Sequence, residues 1–500
     1  MFKNALVSCS DKKDLVEFLK PLQAKGLRIV STGGTAKHLR DNGLTVIDVS
    51  EQTDFEEVMD GRVKTLHPKV HMPLLARIDD PSDLEILKKY KVEPFDLVIG
   101  NLYPFEAAPS IDTIDIGGPS FLRSAAKSFS RIAVICDPTD YAWVLEKGSL
   151  DLSDRQKLAA KVFAHTSTYD SMIAKHFAKE TRLDFNDLSL GGKYVQALRY
   201  GENSQQRAVW YRTGGEENGI HRAQILQGKE LSYNNLLDIE AAVSTVRDLS
   251  EAKSCVAVKH NSPCGVASHA EAEVAVANCL LADPQSVFGG IVATNFAINA
   301  NMALTLSSIF LECIVAPHFE EGAIEIFRNK KNLRLLQWPD FHKMGDNFLY
   351  RSVSGGFLVQ TKDQVAATWD ESWSVQGATL DQDLMADLLV AWKICAHLKS
   401  NAISIVSKGQ TVGLGMGQVN RVDAVEQAIQ RMKRFHNDCK SPVLASDAFF
   451  PFADSIEKIA NAGIRYLIQP GGSVKDEEVR AKARELDVTM VFTGQRHFLH

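Results

Sequence analysis

Short runs of apolar, often β-branched residues alternate with helix-length amphipathic stretches along the whole chain, and this alternation limits the possible folds more than any other feature. In the first 190 residues Arg28-Ile29-Val30, Asp96-Leu97-Val98-Ile99 and Ile132-Ala133-Val134-Ile135 are strand-like, each followed by turn or cap residues. Strands spaced in this way predict a mostly parallel α/β layer. A Gly/Ser-containing stretch, Leu188-Ser189-Leu190-Gly191-Gly192, marks a domain boundary near residue 190. Beyond it the pattern resumes with Cys255-Val256-Ala257-Val258, Gly290-Ile291-Val292-Ala293, Ile403-Ser404-Ile405-Val406, Val443-Leu444-Ala445 and Tyr466-Leu467-Ile468. A polar, Trp-containing stretch from Thr361 to Gly377 divides this part in two, so three domains are expected, at 1–190, 191–365 and 366–500. The segments Asp283 to Gly290 and Ser446 to Phe452 both read as strand-to-turn junctions with a polar, aromatic end, a hint of internal duplication.

With 500 residues, 45% of them hydrophobic, the chain has ample material for several buried cores. Its 56 Lys+Arg against 62 Asp+Glu leave a net charge of −6. That balance gives no general drive toward nucleic acid or an anionic membrane, but it leaves room for a local pocket that takes a small anion. No window approaches the roughly 18 apolar residues of a membrane helix, and Asp11-Lys12-Lys13-Asp14 interrupts the start before a signal core can form. A cytoplasmic protein is therefore expected, with no membrane or nucleic-acid partner. Eight cysteines without any Cys-x-x-Cys pair are expected to be free thiols, with no structural zinc.

Ser31-Thr32-Gly33-Gly34-Thr35 joins a strand to a helix, where backbone amides and hydroxyls can cradle a phosphate, although an ordinary capped turn reads equally well from this segment alone. A second segment of the same kind, Ser8-Cys9-Ser10-Asp11-Lys12, tips the balance, because a phosphate pocket needs several converging donors. Gly61-Arg62-Val63-Lys64-Thr65-Leu66-His67-Pro68-Lys69 carries separated cations between apolar anchors, a spacing that suits one phosphorylated ligand better than a solvated tail. Asn101-Leu102-Tyr103-Pro104-Phe105 lies just past the carboxyl end of a strand, where open parallel sheets bind ligands. Asp115-Ile116-Gly117-Gly118-Pro119-Ser120 combines a carboxylate and two glycines at a helix start, and Lys127 follows on that helix. Taken singly, Tyr103 reads as well as a half-buried core aromatic, and Asp115 as an N-cap.

In the second part Lys259-His260 ends a buried-looking strand before a Pro/Gly turn, and a cation beside an imidazole suits oxyanion stabilisation with general-base work. His269-Ala270-Glu271 matches the His-x-Glu of zinc deaminases but lacks the cysteine pair that must follow it. Composition and spacing thus give a multidomain α/β protein with a phosphate-ligand pocket and two clusters of acid/base residues, without naming a reaction.

Ser8 to Lys12, Gly33-Gly34-Thr35-Ala36, Gly61 to Pro68, Asn101 to Phe105, Ile114 to Gly118, Leu198-Arg199-Tyr200-Gly201-Glu202-Asn203, Lys259-His260, Ser446 to Phe452 and Phe492 to Phe498 follow one another in a known order. In these motifs the chain resembles the bifunctional purine-biosynthesis family that joins AICAR transformylase to IMP cyclohydrolase. The resemblance implies an N-terminal methylglyoxal-synthase-like parallel-sheet domain with the cyclohydrolase, then tandem cytidine-deaminase-like α/β units, without zinc, carrying the transformylase. It implies formyl transfer from 10-formyltetrahydrofolate to AICAR, giving formyl-AICAR and tetrahydrofolate, followed by dehydrative closure to IMP. A homodimer with shared transformylase sites is also implied. No catalytic metal is expected, and a structural monovalent cation is left open.

Carried over residue by residue, the resemblance makes His260 the base that deprotonates the AICAR amine and Lys259 the cation for the tetrahedral oxygen. Arg199, Tyr200, Gln205, Gly289, Asn401, Arg421, Phe449 and Arg496 are implied nucleotide contacts, with Asp454 facing the folate. In the cyclohydrolase Lys64, Tyr103, Asp115 and Lys127 are the implied proton-transfer and orienting groups, Gly117 and Gly118 the amide donors, and Ser10, Lys12, Gly34, Thr35, Arg62 and Thr65 the phosphate contacts. Three departures stand out: Gln205 where the family has histidine, Met72-Pro73 after His71, and Met416 with Asn420 in Gly413 to Arg421. They keep two rivals in view, an enzyme with only the cyclohydrolase working and a nucleotide-binding regulatory protein.

Overall fold

The computed structural model describes residues 2–181, 188–214, 218–343 and 348–500. Contacts divide the chain into a unit of residues 1–193 with 213–215 and a unit of 194–212 with 216–500. In the first unit five strands form a sheet in the order Ile47–Asp48, Arg28–Ser31, Asn4–Cys9, Leu97–Asn101, Ala133–Ile135. Every neighbouring pair is parallel. Alternation along Asn4–Cys9 sends Ala5 and Val7 into a core with Leu15, Phe18 and Leu39, while Leu6 enters a second core with Val98 and Phe121 on the opposite face. The order reverses between Asn4–Cys9 and Leu97–Asn101, so this crevice is the topological switch point, where such sheets bind ligands.

The second unit holds a twelve-stranded sheet in the order Ser374–Gln376, Thr489–Phe492, Tyr466–Gln469, Val443–Ser446, Ile403–Ser407, Gln410–Gly415, Ser262–His269, Lys253–Lys259, Ile291–Thr294, Cys313–Ala316, Arg334–Gln337 and Gln224–Gln227. It is two copies of one pattern. Each half runs helix, antiparallel hairpin, helix, then three parallel strands, closed by one antiparallel edge strand. The duplication is thus visible in the topology, but not on the segments that hinted at it. Asp283 to Gly290 precedes the strand Ile291–Thr294, whereas Ser446 to Phe452 follows Val443–Ser446, its counterpart in the other half.

Both hairpins close through two residues with positive φ, His260 and Asn261 in the first half and Lys408 and Gly409 in the second. This is the turn whose twist matches that of the flanking strands. On the second strand of each hairpin, glycines let a helix backbone press directly on the sheet. A Cβ on Gly265 would lie 2.4 Å from the Cys279 carbonyl oxygen, and one on Gly415 would lie 2.0 Å from that of Ala424. Two further pairs, Gly192–Leu198 with Ala208–Thr213 and Phe348–Val353 with Gly356–Thr361, form separate two-stranded sheets. All eight cysteines are free, and no described helix is long and apolar enough to cross a membrane.

The close approach at Gly415 can be tested. Gly415→Ala forces the helix Arg421–Phe435 off the strand and should cost about 1–3 kcal/mol, read as a lower denaturant midpoint. An unchanged midpoint would show that the helix does not need the glycine.

Candidate active sites

At the switch point of the first unit the carboxyl ends of three strands surround a cavity of about 720 Å³. Ser8, Cys9 and Ser10 come from one strand end, Thr32, Gly34 and Thr35 from the second, and Asn101 and Tyr103 from the third. Side chains bind these ends to one another. The Thr35 hydroxyl accepts from Cys9 N–H at 3.1 Å and donates to Cys9 C=O at 2.9 Å. Asn101 Oδ1 accepts from the amides of Ser10 at 2.7 Å and Asp11 at 2.9 Å, and Asn101 Nδ2 donates to Asp11 C=O at 2.7 Å. Asn101 is therefore a positioning residue that sequence reasoning had noticed only as part of a longer motif.

Ser10, Lys12, Gly34, Thr35, Arg62, Lys64, Thr65, Tyr103, Asp115, Gly117 and Gly118 all line this cavity. The first-turn amides of the helices Gly33–Asp41 and Gly117–Lys127 add their partial positive charge to the three cations, a field that favours a phosphorylated ligand. Arg62 sits at the rim, where it forms an exposed pair with Asp112 at 2.9 Å. The two glycines that start the second helix are required by close packing: a Cβ at Gly117 would stand 2.4 Å from Thr65 Oγ1, and one at Gly118 2.4 Å from Asp115 Oδ2. Asp115 Oδ1 accepts from Gly118 N–H at 2.7 Å. Tyr169 holds the preceding loop by donating to Thr113 C=O and accepting from Asp115 N–H, both at 2.8 Å. Burial raises the Asp115 pKa above its ordinary value of 3.8, against the pull of the Gly118 and Tyr103 amides and the charge of Lys64. A carboxyl group so placed beside an ammonium is suited to proton transfer.

Lys127 is not brought to this cavity. It lies exposed at the far end of the helix whose first residue, Gly117, lines the pocket, about 15 Å along the axis at 1.5 Å per residue.

The second cavity, about 440 Å³, opens in the large sheet where the two halves meet. Lys259, His260, Ser262, Pro263 and Cys264 line it from the first half, and Thr411, Leu414, Met416, Gln427 and Arg431 from the second. Lys259 Nζ donates to Phe288 C=O at 2.8 Å. Gly289 stands beside it, a Cβ there being 3.9 Å from Nζ. His260 occupies the hairpin tip, with φ 53°. Asp283 accepts from Ser286 and pairs with Arg431 at 2.9 Å, linking the two walls. Burial pushes the Cys264 thiol far above its usual range, which favours the thiol over the thiolate.

The other expected transformylase residues do not line this cavity. Arg199 lies over the Tyr200 ring at 5.4 Å, and Gln205 is exposed in a turn closed by Gly201 N–H to Gln206 C=O at 2.9 Å. Asn401 Nδ2 donates to Gln418 C=O at 2.7 Å. Phe449 is partly exposed, Asp454 accepts from Ser455 N–H at 2.8 Å, and exposed Arg496 covers the Phe498 ring at 4.8 Å. Arg421 departs most from its expected role as a nucleotide contact. Its guanidinium is buried, paired with the carboxylate of Asp447 and bonded to Ala402 C=O at 3.2 Å and Ser446 Oγ at 3.1 Å. Of the sequence departures, Met416 reaches the pocket wall, whereas Asn420 caps its helix by accepting from Asp423 N–H at 2.9 Å, a task Asn does as well as Ser. Among the described residues no group of His, Cys, Asp or Glu is arranged to hold a metal ion.

Residues 14–120 match the MGS-like domain family, and residues 125–431, more than half the chain, match the AICARFT/IMPCHase bienzyme. The chain belongs to that bienzyme family. Its relatives match end to end. "Bifunctional purine biosynthesis protein PurH" of Persephonella marina is 44% identical and covers 100% of both chains. The protein of that name from Aquifex aeolicus is 44% identical over 99% of this chain and 100% of its own. In Synechococcus elongatus the figures are 45%, 99% and 99%. A solved chain titled "Crystal structure of ForH" is 32% identical and covers 35% of this chain and 100% of its own, with a TM-score of 0.33, too low to bear on the fold. Family membership is thus carried by both regions, the parallel-sheet unit and the large mixed sheet.

The raised pKa of Asp115 gives a stability test. The folded group titrates above its unfolded value of 3.8, so its contribution is full below pH 3.8 and is lost as pH rises through the folded value. Asp115→Asn removes this loss and keeps an acceptor for Gly118. Its melting temperature relative to the wild type should therefore rise as the pH is raised above about 4 and level off once the folded carboxyl is ionised. A difference independent of pH would contradict the assignment.

Proposed function

We propose that the switch-point cavity carries ring closure and the cavity between the halves of the large sheet carries formyl transfer. The chain is a bifunctional enzyme of purine biosynthesis, an AICAR formyltransferase and IMP cyclohydrolase catalysing the last two steps to IMP. The observation that carries the assignment of sites is the placement of Lys259 and His260 on one wall of a pocket at the end of a hairpin. The AICAR amine is a weak nucleophile, its lone pair drawn into the imidazole and carboxamide, and a base must take its proton as it attacks the formyl carbon. In this reading His260 is that base, and Lys259 meets the developing oxyanion.

The formyl donor is a folate, and 10-formyltetrahydrofolate is the form proposed. In the switch-point cavity Lys12, Arg62 and the two helix N-termini bind the phosphate of formyl-AICAR, while Lys64, Tyr103 and Asp115 orient the formyl and amide groups and move the proton. Both reacting groups are already in one molecule, so positioning supplies much of the acceleration. A homodimer is the assembly proposed, because Arg199, Tyr200 and Arg496 match the family motifs yet do not line this chain's own pocket. We also propose the domain limits 1–190, 191–365 and 366–500, the last two supported by the repeated half-sheets, and a cytoplasmic location, supported by eight unpaired thiols.

His260→Ala should lower the rate of formyl transfer by about 10²–10⁴-fold, while formyl-AICAR supplied to the same preparation still closes to IMP at the wild-type rate. Wild-type transfer by this variant would remove His260 from the role of base.

A further inference from the structure

His260 and Asn261 hold left-handed backbone conformations that residues other than glycine adopt at a cost, and their turn is the only link between Lys259 and Ser262. One side chain receives that turn. Asp238, on the helix Tyr233–Asp248, accepts from Asn261 N–H at 2.5 Å and from the amide of His260. Burial raises its pKa, and the two amides and the His260 ring pull it back.

The second half repeats the arrangement. Asp387 is the sixth residue of the helix Gln382–Ala396, as Asp238 is of Tyr233–Asp248. It accepts from Lys408 N–H at 2.7 Å and from Gly409 N–H at 2.6 Å. There the tip bears no imidazole, and Gly409 packs so tightly that a Cβ would stand 2.3 Å from Ser268 C=O. The clamp is therefore common to both halves, and only the first half has an imidazole on the clamped turn.

We propose that Asp238 is a positioning residue for formyl transfer, a carboxylate that fixes the His260-Asn261 turn so that the imidazole faces the pocket in a single orientation. The inference rests on His260 being the base. Losing the clamp leaves the two tip amides to water and lets the turn relax. Displacement of a reacting group by about 1 Å is enough to cost about 10²-fold in rate. Nucleotide affinity, which does not depend on the orientation of one imidazole, should be untouched.

The duplicated clamp supplies its own control. Asp238→Ala should lower the kcat of formyl transfer by about 100-fold, leaving the KM for AICAR and the closure of supplied formyl-AICAR unchanged. Asp238→Asn retains an acceptor oxygen and should restore most of the lost kcat. Asp387→Ala removes the equivalent clamp from the other hairpin and should leave kcat unchanged even if it lowers the melting temperature as much. Wild-type kcat in Asp238→Ala, or an equal loss in Asp387→Ala, overturns the proposal. His260→Ala measured in parallel separates the two ideas. If it keeps the wild-type rate, the base assignment fails and the clamp's role falls with it. If it is inactive while Asp238→Ala is normal, the clamp alone is wrong. A double variant no slower than His260→Ala supports action through the imidazole.

Discussion

The large sheet depends on the edge where the strands Ser262–His269 and Gln410–Gly415 meet. That edge is thin: one residue pair, Ala267 with Gln410, is in register. Beside it the Thr411 hydroxyl does the work of a backbone group, accepting from Val266 N–H at 2.9 Å and donating to Val266 C=O at 3.1 Å. Further along no pair of these two strands is in register, and the opening between Pro263 and Cys264 on one side and Thr411 and Leu414 on the other becomes the pocket. The pairing that joins the halves and the gap that forms the site are thus two stretches of one strand edge. Glycines at 265, 413 and 415 bring the covering helices down onto both strands, so the gap has walls on either side.

The two cavities are built by different means. In the first unit three of the five parallel strands bring their carboxyl ends to one crevice, and helix N-termini with three cations make it a place for an anion. Among the groups lining it, burial raises the pKa of the Asp115 carboxyl against the pull of the Gly118 and Tyr103 amides and the Lys64 charge. In the second unit an antiparallel hairpin carries Lys259 and His260 to the pocket on a two-residue turn. The residues lining each cavity come from separate stretches of chain, 8–121 for the first and 259–431 for the second.

Much of the first site was legible in the sequence, because its residues lie within a few positions of strand ends and strand ends follow from apolar runs. The glycines at 117 and 118 were visible as a helix start, though the contacts with Thr65 and Asp115 that demand them were not. That Lys127 lies away from this cavity is not legible there, because a motif lists residues without the distance a helix puts between them. The burial of Arg421 is hidden for another reason. Its partner Asp447 lies 26 positions away, and only the fold shows that the pair is buried together. The same holds for Asp238, whose importance depends on a turn that arrives 23 positions later. Local patterns disclosed the elements and the Lys259-His260 pair that lines the second pocket, while long-range pairing decided which polar groups are spent within the fold.

The most direct test of two working sites in one chain is a single reaction of purified protein with AICAR and 10-formyltetrahydrofolate, in which tetrahydrofolate and IMP are followed separately. Two working sites require tetrahydrofolate to appear and IMP to follow until the two amounts agree. Failure to form tetrahydrofolate, while added formyl-AICAR still closes to IMP, would contradict the bifunctional reading and point to the substitutions at Gln205 and Met416 as the reason.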